Sequence, residues 1–79
     1  MSEAEIYQDL DGIFAQVFRR RIELKPELTA KEVPGWDSFR MVSLIMATEE
    51  HFRIKLPPAD LDKLANVGDL VRAIAKQAT

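Results

Sequence analysis

The sequence predicts an all-α fold, a small four-helix bundle of three main helices and one short one with a long loop between the first and second. Three observations carry this expectation. Apolar residues return every three or four positions in three separate stretches, no stretch alternates as a half-buried strand would, and Pro or Gly punctuates the gaps. Links after the second helix are short, which favours a compact bundle.

The first helix is expected over about residues 3 to 20, where Ile6, Leu10, Ile13, Phe14, Val17 and Phe18 share one face and Ser2 with Glu5 reads as a capping box. Residues 22–36 hold Pro26, Pro34 and Gly35 among irregularly spaced apolar residues, so they read as a long loop pinned to the core by Leu24, Leu28 and Val33. A connection of that length is expected to be functional or well packed. Asp37 or Ser38 then caps a second helix that runs to about residue 51 or 52 and stops before Pro57-Pro58. A short third helix follows at about residues 59 to 64. Asn66 with Asp69 marks the start of the last helix, whose stripe is Val67, Leu70, Val71 and Ile74.

With 79 residues, 47% of them hydrophobic and 30% charged, the chain has the composition of one small globular domain, residues 1–79, near the size at which a single core leaves only a few kcal/mol of net stability. It has no cysteine, so no disulfide framework or Cys-containing metal site supports the fold. A formal charge of −2 gives no general attraction to nucleic acid. Arg19, Arg20 and Arg21 form a local basic run, read as a solvated helix end that complements the C-terminal dipole. No apolar run approaches the roughly 18 residues of a membrane span, and the polar N-terminus lacks the basic-then-apolar order of a signal peptide. A cytoplasmic monomer is the expectation.

On the second helix, Met41, Leu44, Ile45, Thr48 and Phe52 share an arc expected to face the core, and Arg40, Ser43, Ala47, Glu50 and His51 are placed on the solvated side. Phe39, Val42 and Met46 gather in a separate arc, read as a boundary. They either complete the small core or form a partly exposed patch for partner docking.

Ser38 is the most reactive-looking position, a hydroxyl where an exposed turn meets a helix N-terminus. It either caps that helix or, if Asp37 takes the cap, stands outward and free to react, in a place where the helix dipole favours an attached anion. A hydrolase nucleophile would need a base within reach. The only histidine, His51, lies thirteen residues along the same helix, roughly 20 Å away at 1.5 Å per residue. Gly35-Trp36-Asp37-Ser38-Phe39 also lacks the second glycine of a Gly-x-Ser-x-Gly elbow. Asp60 with Asp62, and Glu49 with Glu50, read as solvated charges rather than metal ligands.

Taken together, Gly35-Trp36-Asp37-Ser38-Phe39, the helix closing in Glu49-Glu50-His51-Phe52, and the following Ile54-Lys55-Leu56-Pro57 resemble the acyl carrier protein family over essentially the whole chain. The resemblance implies a non-catalytic carrier with 4'-phosphopantetheine attached covalently to Ser38, and it implies that Asp37 supports the modification, through the metal ion used by the modifying transferase. Such a carrier supplies through its cofactor the thiol this chain lacks, and presents thioester-bound acyl groups to successive enzymes. The implied partners are a phosphopantetheinyl transferase and acyl-activating and acyl-transferring enzymes, docking on the second helix at Phe39, Arg40, Val42 and Met46.

Three residues depart from the family pattern. Phe39 stands where leucine is usual, and Arg40 and Ser43 occupy positions that are commonly acidic. They remove the negative field read by partners of central fatty acid synthesis, so a specialised lipid or secondary-metabolite pathway is expected. Arg40 opposes the helix dipole, and a compensating use would be to pair with the phosphodiester on Ser38 or with an acidic partner. An aminoacyl or peptidyl carrier, and an unmodified helical interaction module in which Ser38 merely caps, are the alternatives.

Overall fold

The chain's computed structural model describes residues 2–77, arranged as four α-helices: α1 Glu3–Phe18, α2 Ser38–Phe52, α3 Pro58–Leu61 and α4 Val67–Gln77. α1 packs against both α2 and α4. One apolar core joins Ile6, Leu10 and Phe14 of α1 to Leu44 of α2 and to Val67, Val71 and Ile74 of α4, all essentially inaccessible to solvent.

α1 starts as expected, with the Ser2 hydroxyl accepting from the Glu5 amide at 3.2 Å while the Ser2 amide donates to the Glu5 carboxylate at 3.0 Å. It ends earlier than expected, at Phe18, because Arg19 turns left-handed (φ 57°) and sends the chain back so that Ile22 can be buried. The basic run therefore does not sit in the last helical turn, and Arg20 donates instead to the Pro34 carbonyl at 2.6 Å.

The long loop contains a 3-10 turn at Ala30–Glu32 and is held more tightly than its polar composition suggests. Val33 and Ile22 are buried, whereas Leu24 and Leu28 are only partly so. The loop also caps α4: the Leu28 carbonyl accepts from the Val67 amide at 2.9 Å and the Pro26 carbonyl from the Gly68 amide at 2.8 Å, satisfying donors at the start of that helix. Gly68 permits this approach, since a Cβ there would come within 3.0 Å of the Pro26 carbonyl oxygen.

α3 is shorter than expected, spanning Pro58–Leu61, with Asp62 and Lys63 in a turn beyond it. Proline at its first position suits a helix start, and the four-residue element serves as a corner between α2 and α4. At α4 the Asn66 side chain accepts from the Asp69 amide at 2.8 Å, and Asp69 accepts in return from the Ala65 amide at 2.9 Å. The Ala65 amide foremost, with the Arg72 guanidinium and the Asn66 backbone amide, holds the Asp69 carboxyl below the ordinary aspartate range despite some desolvation. A lowered folded-state value stabilises above the unfolded pKa and is lost as pH falls through the folded one. On acidification through and below pH ~4, the protection of the Ala65 amide, its exchange measured against an unstructured chain at the same pH, should therefore fall in the native chain. In Asp69→Asn that protection should change little over the same range.

Candidate functional site

The second helix begins at a turn built from Val33, Pro34, Gly35 and Trp36. The Trp36 amide donates back to the Val33 carbonyl at 3.1 Å, and Gly35 takes φ +85°, the left-handed third position that glycine adopts without strain. Two arginines from different elements hold this turn. Arg20 bonds the Pro34 carbonyl, and Arg40 Nη1 donates to the Gly35 carbonyl at 3.2 Å while lying 3.8 Å from the Asp37 carboxylate. The turn thus joins the chain just after α1 to the first turn of α2. Arg40 is directed at the turn, which gives it a structural use that the sequence reading did not anticipate.

Trp36 is the anchor that sequence reasoning missed. Its ring meets Phe14 edge-on at 5.4 Å and Phe18 at 5.8 Å, and its indole N–H points at Met41 Sδ at 3.3 Å. A tryptophan closing a Pro-Gly turn, five residues before a core-facing methionine, was the available signal. Locking this ring against α1 fixes where the next two residues emerge.

Those two residues divide the roles left open by the sequence. Asp37 takes the N-cap, its Oδ1 accepting from the Arg40 amide at 2.8 Å. Ser38 becomes the first residue of α2, exposed, and its hydroxyl makes no hydrogen bond among the described residues. It stands at the positive end of a 15-residue helix with a path to solvent, an arrangement that fits a covalently attached phosphodiester.

Beside Ser38 opens a cleft of about 590 Å³ between the loop, the start of α2 and the approach to α4. Trp36, Met41, Val42, Leu64, Val67 and Leu70 supply most of its lining, with Asp37 and Ser38 at the rim and Asn66 as the other polar side chain. Asp37 is the only ionisable lining residue, and its carboxylate is engaged in capping.

Phe39, Val42 and Met46 do not lie at a boundary. They are 77%, 58% and 64% exposed, the exposed large hydrophobics of the described chain. At about 100° per residue they average roughly 140° away from the buried Leu44, Ile45 and Thr48, so they face away from the core and do not complete it. Ala47, placed on the solvated side by the sequence reading, instead packs against the core, and Ser43 is half-buried. The remaining core arc is as expected. Leu44, Ile45 and Thr48 are buried, Met41 and Phe52 pack partly buried against them, and the Thr48 hydroxyl donates to the Leu44 carbonyl at 2.7 Å.

His51 lies near the opposite end of α2, with its Nε2 3.2 Å from an Asp9 carboxylate oxygen of α1, and has no part in a constellation with Ser38. No group of three or more His, Cys, Asp or Glu residues among those described could hold a metal ion.

Residues 8–74 match the protein family described as phosphopantetheine attachment site. The acyl carrier protein of Helicobacter pylori is 33% identical over 70 residues, covering 87% of this chain and 90% of that one. That of Wolinella succinogenes is 46% identical over 52 residues, or 66% and 68% of the two chains. The fold also aligns with the solution NMR structure of a holo acyl carrier protein from Geobacter metallireducens, with a TM-score of 0.85 and 39% identity over 89% of this chain and 82% of that one.

Proposed function

This chain belongs to the phosphopantetheine-attachment family of acyl carrier proteins, and on that premise we propose that Ser38 is where the arm is joined. It is a non-catalytic carrier bearing covalent 4'-phosphopantetheine. The observation that supports Ser38 is its unengaged, exposed hydroxyl at the first position of α2, left free because Asp37 has taken the cap. The arm brings a terminal thiol to a chain with no cysteine, so acyl groups can be held as thioesters. The chain's own residues set the attachment geometry: Trp36 and the two arginines fix the turn, and the cleft beside Ser38 offers apolar surface to what the arm holds.

The family implies a phosphopantetheinyl transferase and acyl-handling enzymes as partners. Among the described residues no helix is long and apolar enough to cross a membrane. The single domain acts as a mobile substrate, with Phe39, Arg40, Val42 and Met46 forming the surface that partners approach, in a specialised lipid or secondary-metabolite pathway. The apolar lining of the cleft supports an acyl cargo over an aminoacyl one. Loading assays separate these: charging by an acyl-activating enzyme is expected, and charging by an amino-acid-adenylating enzyme alone would reverse the assignment.

Incubation with coenzyme A, magnesium and a broad-specificity phosphopantetheinyl transferase, read by intact mass, tests the attachment. Asp37 can be tested separately from its cap. Asp37→Asn keeps a good capping oxygen, so stability should fall by less than about 0.5 kcal/mol, whereas Asp37→Ala should lose about 1 kcal/mol. Both variants should be modified at least about tenfold more slowly if the carboxylate supports the transferase's metal ion. Asparagine modified at the native rate would leave Asp37 with its capping role alone.

A further inference from the structure

Trp36 and Met41 close one side of the cleft beside Ser38. Both line it, Trp36 from the loop and Met41 from α2, and the indole N–H directed at Met41 Sδ at 3.3 Å spans the gap between the two elements. Away from the cleft the same indole meets Phe14 at 5.4 Å and Phe18 at 5.8 Å. Both phenylalanines are buried in the core, and neither lines the cleft. The ring is thus a partition, with the cleft on one side and the aromatic interior against α1 on the other.

The rim is built differently. Asp37 and Ser38 make it polar and exposed, while Val67 and Leu70 of α4 continue the apolar lining inward. At the partition the one polar hydrogen is that of the indole, and it is turned to a thioether. A chain reaching this wall therefore finds apolar contact and no group to satisfy a polar end.

We propose that the Trp36–Met41 pair is the end wall that sets how long an acyl chain this carrier shelters, and that the favoured cargo is an aliphatic chain with an apolar terminus. This rests on the carrier reading with the arm on Ser38, and adds which residues select the cargo by size. Each methylene taken out of water favours the sheltered state while there is room for it. Beyond the wall, further carbons must stay outside or push the ring into Phe14 and Phe18, which close packing opposes. Shelter should therefore rise with chain length and then stop rising.

The test loads the full chain from acyl-coenzyme A with a broad-specificity transferase, which joins acyl-phosphopantetheine to Ser38 and releases adenosine bisphosphate. Straight acyl chains of about 4 to 16 carbons are compared in steps of two. Hydroxylamine then frees the thiol and takes the acyl group as a hydroxamate, at a rate that follows the unsheltered fraction. Release should slow by at least about threefold per added pair of carbons, and reach a plateau before the longest chain. Emission from Trp36, the chain's single tryptophan, should change with length up to the same point and not beyond it. A carboxylate-ended chain of plateau length should be released at least about threefold faster than its methyl-ended equivalent. Met41→Ala and Trp36→Phe, the second in case the first disturbs folding, should each move the plateau to chains longer by about two carbons. Ile6→Val, a core change away from the cleft, should leave it in place. A shift in either folded wall variant, absent in Ile6→Val, supports the end wall. Release independent of length, no plateau, a plateau unmoved in both wall variants or moved equally in Ile6→Val, or equal release of the two termini overturns the inference alone. Failure of any acyl mass to add at Ser38 overturns the carrier reading along with it.

Discussion

Ser38→Ala is expected to remain at the mass of the bare chain after incubation with coenzyme A, magnesium and transferase, while the native chain gains one arm. The loss should be complete, because the phosphodiester needs an oxygen that alanine does not supply. It should also be a loss of chemistry alone. The Ser38 hydroxyl forms no hydrogen bond among the described residues, the cap belongs to Asp37, and alanine is the better helix former, so stability should stay within about 0.5 kcal/mol of native. Circular dichroism and a melting curve check that side. An arm found on Ser38→Ala would move the attachment elsewhere in the chain and remove the significance given to the exposed start of α2.

Trp36→Ala should have the largest effect on stability among changes near the site. The ring is wedged edge-on against Phe14 and Phe18 and directs its N–H at Met41, so truncation both removes buried area and opens a void between the loop, α1 and α2. A loss of about 3 kcal/mol is expected, at the low end for tryptophan because the ring is only partly buried. In a domain of this size that corresponds to a fall in Tm of roughly 15 °C. Trp36→Phe should retain most of the stacking and lose less than about 1 kcal/mol. At temperatures where Trp36→Ala is still folded, modification of Ser38 should be slower, because the turn before it has lost its anchor. A melting temperature within a few degrees of native would show that Trp36 does not hold the turn.

Much of this was legible in the residues because helices announce themselves through periodicity. The stripes of α1 and α4, the Ser2–Glu5 box and the Asn66 cap are local signals, and each appears where its spacing put it. Helix ends were less legible. Arg19 leaves the helix because Ile22 must be buried, a demand set by a core whose other members lie as far along the chain as Ile74. For the Phe39, Val42 and Met46 stripe the sequence left two readings open, completion of the core or a partly exposed patch, and their exposure decides for the second, because Leu44, Ile45 and Thr48 already fill the side of α2 that meets α1. Ala47, by contrast, was misplaced. Ser38 and Asp37 were both nominated for the cap, and only the backbone decides between them. The bonds from Arg20 and Arg40 to the motif turn could not be foreseen, since they join side chains to carbonyls that carry no residue-type signature.

The two carbonyls that the long loop lends to the start of α4 couple parts of the chain that would otherwise flex separately. Pro26 and Leu28 grip Gly68 and Val67, and Ala30 of the same loop faces the cleft from one side while Val67 and Leu70 face it from another. These two walls are therefore joined directly by backbone hydrogen bonds, and α2 forms the facing wall through Met41 and Val42. A bulky guest entering beside Ser38 would press on that facing wall, so the strain of accommodation would be felt along the same helix whose outer side carries the exposed Phe39, Val42 and Met46. Occupancy inside would then be readable from outside, without the guest ever emerging.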